Sequence, residues 1–82
     1  MQKEGLALEA MQCRAARGLL RWTQGRLAKE AGLSGLTVRN FEAGLTAPNP
    51  ATLTVLRQTL EAAGVEFTND DRPGVRMRGR RK

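Results

Sequence analysis

Five residues near the middle of the sequence have the chemistry to contact the edges of DNA bases. They occupy the first turns of one predicted helix: Ser34, Gly35, Leu36, Arg39 and Asn40. Arginine and asparagine pair with the base edges of guanine and adenine in the major groove, and a leucine can contact the methyl group of thymine. Because that groove admits an α-helix, this helix face is a candidate DNA-reading surface.

Four amphipathic helices are predicted to position that surface. Apolar residues recur near a 3.6-residue period over about residues 8–21, 23–31, 34–43 and 50–63. Thr23, Ser34 and Asn49 are suited to cap the second, third and fourth helices, because their side-chain oxygens accept backbone N–H bonds. Gly32 supplies a left-handed stop, so the second and third helices meet across a tight turn. The expected fold class is therefore mainly α.

Beyond the fourth helix the hydrophobic period changes from about 3.6 residues to 2. Two short alternating segments flank a turn-forming run at residues 69–74, which predicts a β-hairpin over about residues 65–78. Its apolar face must lie on the helices or on another chain, and Glu66 is expected opposite Arg76. We expect residues 1–78 to form a single domain and residues 79–82 a disordered basic tail.

Composition limits the function classes. The 82 residues include no His and one Cys, Cys13, which excludes the usual zinc ligand sets and an internal disulfide. His and Tyr are absent and the carboxylates are scattered, so neither an enzyme nor a metal or cofactor site is expected. Apolar stretches are too short for a membrane span or a signal peptide, which predicts a cytoplasmic protein with no membrane partner.

The net charge of +6 is concentrated at the C-terminus. Residues 1–71 carry eight basic and eight acidic side chains, whereas the last eleven residues carry six basic and no acidic ones. Net charge therefore gives no evidence that residues 1–71 bind nucleic acid. For the basic end itself, a solubilising role and contact with DNA phosphates are both open.

The pattern of residues 8–64 resembles that of the XRE family, the helix-turn-helix proteins of the phage Cro and lambda-repressor type. The resemblance rests on a set of residues at fixed intervals: Gln24, Ala28, Gly32, Ser34, Thr37, Val38 and Glu42. It implies a four-helix lambda-repressor-like domain whose third helix enters the major groove. The DNA-binding residues that we expect are Gln24, Ser34, Gly35, Leu36, Thr37, Arg39 and Asn40.

The resemblance also implies roles for individual side chains outside the base-reading face. Gln24 would hold a DNA phosphate at the start of the second helix, and Arg17 of the first helix would form a structural salt bridge with Glu42. For several residues, a purely structural or solvent-exposed role without DNA contact stays open. Ser34 is first of all a helix cap, Leu36 is as often packed against its neighbours, and an arginine such as Arg39 usually lies on a solvated face.

Two features depart from the family pattern. Gly35 stands where many relatives carry a long base-reading side chain, so the protein reads fewer bases or brings its backbone closer to the DNA. The hairpin takes the place of the usual fifth helix, as in some short relatives whose C-terminal strands pair between subunits.

The sequence thus predicts a sequence-specific binder of double-stranded DNA, a transcriptional regulator and repressor that acts as a homodimer. A dimer is expected because one helix contacts few base pairs, while two copies on half-sites about 34 Å apart roughly double the contact energy. The main alternative is an antitoxin or protein-interaction adaptor on the same scaffold, with a toxin or other protein as partner. A third is a non-specific binder that depends on the basic C-terminus.

Overall fold

The computed structural model describes residues 8–68 and 72–79 and comprises four helices followed by a hairpin. The elements are α1 (Ala10–Leu20), α2 (Gln24–Ala31), α3 (Gly35–Glu42), α4 (Pro50–Ala62), β1 (Val65–Thr68) and β2 (Gly74–Met77). The predicted mainly α fold with a C-terminal hairpin is confirmed. The tail predicted at residues 79–82 lies, apart from Gly79, outside the described residues.

The helices begin at residues that cap them. The side chains of Thr23, Ser34 and Asn49 each accept a backbone N–H bond, at 2.9, 3.0 and 2.9 Å, which confirms the three predicted caps. The first helix starts later than the expected residue 8, because Glu9 is its N-cap. Leu8 instead packs into the core, where its exposed fraction is 4%.

The first three helices end in the same way, with a left-handed residue just past the last turn. That residue is Gly32 after α2 and Gly44 after α3, where glycine adopts the conformation without strain. After α1 it is Arg21, with φ of 60°, so this helix ends one residue before the predicted position. A backbone hydrogen bond of 2.9 Å closes the C-terminus of each of these helices. The three bonds run from Trp22 N–H to Arg17 O, from Leu33 N–H to Ala28 O, and from Leu45 N–H to Asn40 O.

The core lies between the helices and the inner face of the hairpin. Its largest fully buried hydrophobic side chains are Cys13, Leu27, Val38, Leu56, Leu60 and Val65. Helix α2 packs against α3 and α4, while α1 packs against α3 and both strands. Val38 and Phe41 anchor α3 on this core, so only the opposite side of that short helix faces outward.

The hairpin lies on the helices of its own chain. Strands β1 and β2 pair antiparallel with Glu66 opposite Arg76, the predicted register, and the Arg76 Nε to Glu66 Oε1 distance is 2.8 Å. Val65 is buried, and Phe67 and Val75 pack against the core. Met77, the fourth residue of the apolar face, keeps 43% of its surface exposed.

A buried glutamine ties the hairpin to the first turn of α1. Gln12 is 2% exposed, and its Nε2 donates to the carbonyl oxygens of Gly74 at 3.1 Å and Thr68 at 3.4 Å. Its Oε1 accepts the backbone N–H of Glu9 at 3.1 Å. Because a buried amide must find such partners, the side chain fixes where the hairpin sits against the helices.

Candidate nucleic-acid interface

Helix α3 divides into a buried side and an outward side. Val38, Phe41 and Glu42 are buried, while Leu36 and Arg39 are exposed and Asn40 is half-buried. Since residues three and four apart lie on one helix face, Leu36, Arg39 and Asn40 form a continuous outward surface. The structure therefore brings together three of the residues that the sequence singled out for base contact.

The first turn of α3 is braced by two hydroxyl groups. Ser34 Oγ accepts the backbone N–H of Thr37 at 3.0 Å, and it lies 2.8 Å from Thr37 Oγ1. Both side chains therefore stabilise the N-terminus of α3. Gly35, between them, is exposed and has helical backbone angles; a Cβ built there meets nothing within 4 Å, so the fold does not require glycine at this position.

Arg39 carries the unpaired charge of this surface. The ion pairs among the described residues join Arg17 to Glu42, Arg26 to Glu30, Arg57 to Glu61 and Arg76 to Glu66. Within residues 8–68 and 72–79, Arg39 has no such acidic partner. Its guanidinium is accordingly available for an acceptor outside the chain.

Beneath the outward surface, the carboxylate of Glu42 ties α3 to α1. The Glu42 side chain is 1% exposed and forms a two-pronged salt bridge with Arg17: Nε to Oε2 and Nη2 to Oε1, each 2.7 Å. Arg17 Nη1 also donates to the carbonyl oxygen of Trp22 at 2.9 Å. One arginine thus holds the end of α3 and the chain leading into α2.

Two further side chains complete the environment of the Glu42 carboxylate. Gln24 Nε2 donates to Oε1 at 3.0 Å, and Cys13 Sγ donates to Oε2 at 3.1 Å. Arg14 Nη1 donates to the backbone carbonyl of Glu42, a favourable place for a cation because it is a helix C-terminus. We call Cys13, Arg14, Arg17, Gln24 and Glu42 the Glu42 clamp.

The Glu42 clamp shifts the ionisation of its members. Burial opposes the charged form of Glu42, but the hydrogen bonds from Arg17, Gln24 and Cys13 outweigh it and lower the pKa of this carboxyl. The hydrogen bond to Glu42 raises the pKa of Arg17. Burial, with the neighbouring carboxylate, strongly raises the pKa of Cys13, so its thiol stays protonated and acts as a donor.

Several members of the clamp were not recognised from the sequence. Cys13 was interpreted as a small buried hydrophobe and is buried, but its hydrogen bond to Glu42 was missed. The spacing held the signal, because Cys13, Arg14 and Arg17 lie three and four residues apart on one face of α1. Gln24, expected on a phosphate, uses one amide N–H for Glu42, and its phosphate contact stays a prediction.

The family comparison agrees with this geometry. A family model described as helix-turn-helix matches residues 14–64, more than half of the chain. The chain therefore belongs to the helix-turn-helix family of XRE type, as the sequence pattern predicted. Members of this family are DNA-binding transcription regulators and are not known as enzymes. The chain therefore has a DNA-binding function of the transcription-regulator type. No curated protein matches the chain significantly.

No helix within residues 8–68 and 72–79 is long and apolar enough to cross a membrane. In the same part of the chain, no three potential metal-ligating side chains of His, Cys, Asp or Glu come together.

Removing the charge of the clamp should destabilise the fold. We expect Glu42→Gln to lower the free energy of unfolding by about 3 kcal/mol, since it leaves Arg17 without its buried partner. Urea denaturation measures this difference. The matched control is Glu30→Gln, which removes an exposed pair with Arg26 and should cost less than about 0.5 kcal/mol. Equal losses in the two variants would contradict the role of the clamp.

The same carboxylate predicts a pH dependence of stability. Because the folded-state pKa of Glu42 lies below its unfolded value, its contribution is complete above the ordinary glutamate pKa and is lost as the pH falls through the folded pKa. The difference in unfolding free energy between the wild type and Glu42→Gln should therefore shrink from neutral pH to about pH 3. A difference that stays constant over this range would show that ionisation of Glu42 does not stabilise the fold.

Proposed function

We propose that the protein is a sequence-specific regulator that binds double-stranded DNA by inserting α3 into the major groove. The observation that carries this proposal is the outward surface of α3, where Arg39 has no acidic partner in the described chain and the helix is held from beneath by Glu42. Arg39 is suited to the O6 and N7 atoms of guanine, and Asn40 to the N6 and N7 atoms of adenine.

Phosphate contacts would orient the helix. Ser34 and Thr37 lie at the N-terminus of α3, and Gln24 opens α2, so each of these polar side chains stands beside backbone N–H groups of a helix N-terminus. Gln24 retains its carbonyl oxygen and one amide hydrogen after bonding to Glu42. We propose repression as the mode of action, because a domain bound in the groove blocks access of other proteins to that DNA.

We further propose that the protein binds as a homodimer. A single α3 offers few base contacts, each supplying about 1 to 3 kcal/mol, which is too little for genomic specificity. Two of the exposed apolar side chains outside the reading surface support a subunit contact: Met77 on the hairpin is 43% exposed, and Val55 on α4 is 36% exposed. The hairpin and α4 are therefore the surfaces that we assign to the partner subunit.

Selection from a random pool of DNA duplexes tests the reading role of α3. The wild type should retain a common sequence with two half-sites about one helical turn apart. Arg39→Ala should bind that sequence about 5-fold to 150-fold more weakly and lose preference at the contacted base pair, because a two-pronged arginine contact is removed. Fluorescence anisotropy measures the affinities, and thermal melting should show unchanged stability.

The matched control is Arg76→Ala, which removes the same charge from an exposed arginine on the hairpin. It should leave the selected sequence unchanged and affect affinity far less than Arg39→Ala. If Arg39→Ala left binding unchanged, Arg76→Ala weakened it and no sequence were enriched, binding would depend on the basic C-terminus. If the wild type retained no DNA at any salt concentration, the adaptor hypothesis would be favoured.

Sedimentation measures the proposed dimer. At tens of micromolar the protein should sediment at twice the 9.0 kDa mass of the chain, or should reach that stoichiometry on the selected duplex. A single copy of the chain both in free solution and on the duplex would contradict the dimer, while leaving the reading role of α3 intact.

A further inference from the structure

The outer side of α1 carries an exposed apolar row. Met11 keeps 49% of its surface exposed and Leu19 keeps 44%, and the exposed Ala15 lies midway between them. Residues four apart lie on one face of a helix, so these three side chains form one row along α1. We call Met11, Ala15 and Leu19 the α1 ridge. None of the three packs on the core of the described chain.

The α1 ridge is separate from the surfaces assigned so far. The other side of α1 is buried at Gln12, Cys13 and Ala16. Helix α3 is joined to α1 through the buried Glu42, on the side of α3 away from its reading surface. The partner subunit of the proposed dimer is assigned to α4 and the hairpin. The fold, the proposed DNA contact and the proposed dimer therefore all leave the α1 ridge uncovered.

The charges around the α1 ridge are basic. Residues 10–21 include three arginines and no acidic side chain. Arg17 is neutralised by Glu42, but Arg14 and Arg21 have no acidic partner in the described part of the chain. The exposed Arg14 donates one N–H to the backbone carbonyl of Glu42 and keeps further donors for other groups. Two uncompensated positive charges thus accompany the apolar row.

Arg21 is held in a conformation that arginine does not favour. Its φ is 60°, and no other residue except glycine has a positive φ among the described residues. Glycine adopts this conformation without strain, as Gly32 and Gly44 do after the next two helices. The fold would thus accept glycine at position 21. A strained residue whose exposed charge has no partner in the described chain points to a contact outside it.

These charges limit the kind of partner that fits. In a symmetric contact between two copies the same surface lies on both sides, so Arg14 and Arg21 of the two chains would repel each other. A DNA backbone would satisfy the arginines but would gain nothing from the apolar row. Residues 1–7 carry one acidic and one basic side chain and so supply no net negative charge. An acidic amphipathic helix satisfies both the apolar row and the arginines.

We propose that the α1 ridge, with Arg14 and Arg21, binds an acidic amphipathic helix of another protein. Apolar side chains of that helix pack between Met11 and Leu19, over the short Ala15, and its carboxylates pair with the two arginines. The contact leaves α3 exposed. One chain can therefore hold a protein partner and a DNA duplex at the same time, on different helices.

Selection from a displayed library of random peptides of about 20 residues, long enough to form a helix, tests this proposal. The complete chain is the bait. Enriched peptides should carry a net negative charge and apolar residues spaced three and four apart. A synthetic copy of an enriched peptide should shift the NMR amide signals of α1, and its affinity should fall as salt is added.

Protein variants assign the peptide to α1, with affinities measured by fluorescence anisotropy. Leu19→Ser and Ala15→Gln should each weaken binding at least about tenfold, because they remove or obstruct the apolar row. The matched control Leu45→Ser alters a leucine 73% exposed in the loop after α3 and should keep full affinity. Arg21→Glu should weaken binding about fivefold or more, whereas Arg72→Glu, the same charge change near the hairpin, should not.

Arg21→Gly separates the role of the charge from the stability of the fold. It should melt at the same or a higher temperature, because glycine relieves the strain at this position. It should nevertheless bind the peptide about two- to fivefold more weakly, the effect of losing one exposed ion pair. Unchanged peptide affinity in Arg21→Gly would contradict the part assigned to Arg21.

The remaining outcomes discriminate among occupants. A library without enriched peptides, enriched peptides without an acidic excess, or binding that persists in both Leu19→Ser and Ala15→Gln would overturn the proposal. Wild-type binding to phosphatidylglycerol vesicles in place of peptides would assign the surface to a membrane instead, and self-association abolished by Leu19→Ser would assign it to a second copy. Because the peptides are measured without DNA, failure of DNA binding would overturn the proposed function and leave this inference standing.

Discussion

The orientation of α3 depends on one buried carboxylate. A glutamate removed from water costs several kcal/mol unless its oxygens are fully hydrogen-bonded, and Glu42 obtains those bonds from three side chains of α1 and α2. The acceptor and its donors come from different helices, so the requirement can be met in one arrangement of these helices. Apolar packing by Val38 and Phe41 holds α3 on the core but does not by itself specify its rotation. The Glu42 clamp supplies that specification.

The eight residues of α3 therefore serve two purposes that occupy opposite sides of the helix. One side ends in the Glu42 clamp, and the other presents Leu36, Arg39 and Asn40 to the exterior. The pairing of Ser34 with Thr37 stiffens the helix start, where the outward residues begin. Structural and outward-facing groups are separated by about half a helical turn, which explains how so short a segment can be both an internal support and an external surface. It also explains why a change such as Arg39→Ala can be separated from stability.

Much of the fold followed from local patterns in the sequence. The 3.6-residue period and the cap residues indicated four helices, and the change to a period of 2 placed Glu66 opposite Arg76. Features that depend on contacts between distant segments did not follow. Arg21 ends α1 in a conformation that usually favours glycine, and Gln12 is buried because it reaches the hairpin more than fifty residues away in the chain. The outward residues of α3 followed from the helical pattern and the chemistry of their side chains, whereas the donors around Glu42 required coordinates, because a cysteine on an apolar stripe looks like any small hydrophobe.

The link between α2 and α3 is short and rigid, and this rigidity affects ligand binding. Only Gly32, Leu33 and Ser34 separate α2 from α3, and both ends of this link are hydrogen-bonded. Such a segment is ordered before any encounter, so little backbone entropy is lost on association. The same rigidity leaves α3 unable to adjust to imperfect sites. In the proposed DNA complex, tolerance of sequence variants would come from side-chain rotamers and from bending of the duplex, so stiff and flexible DNA sequences with identical contacted bases would differ in affinity.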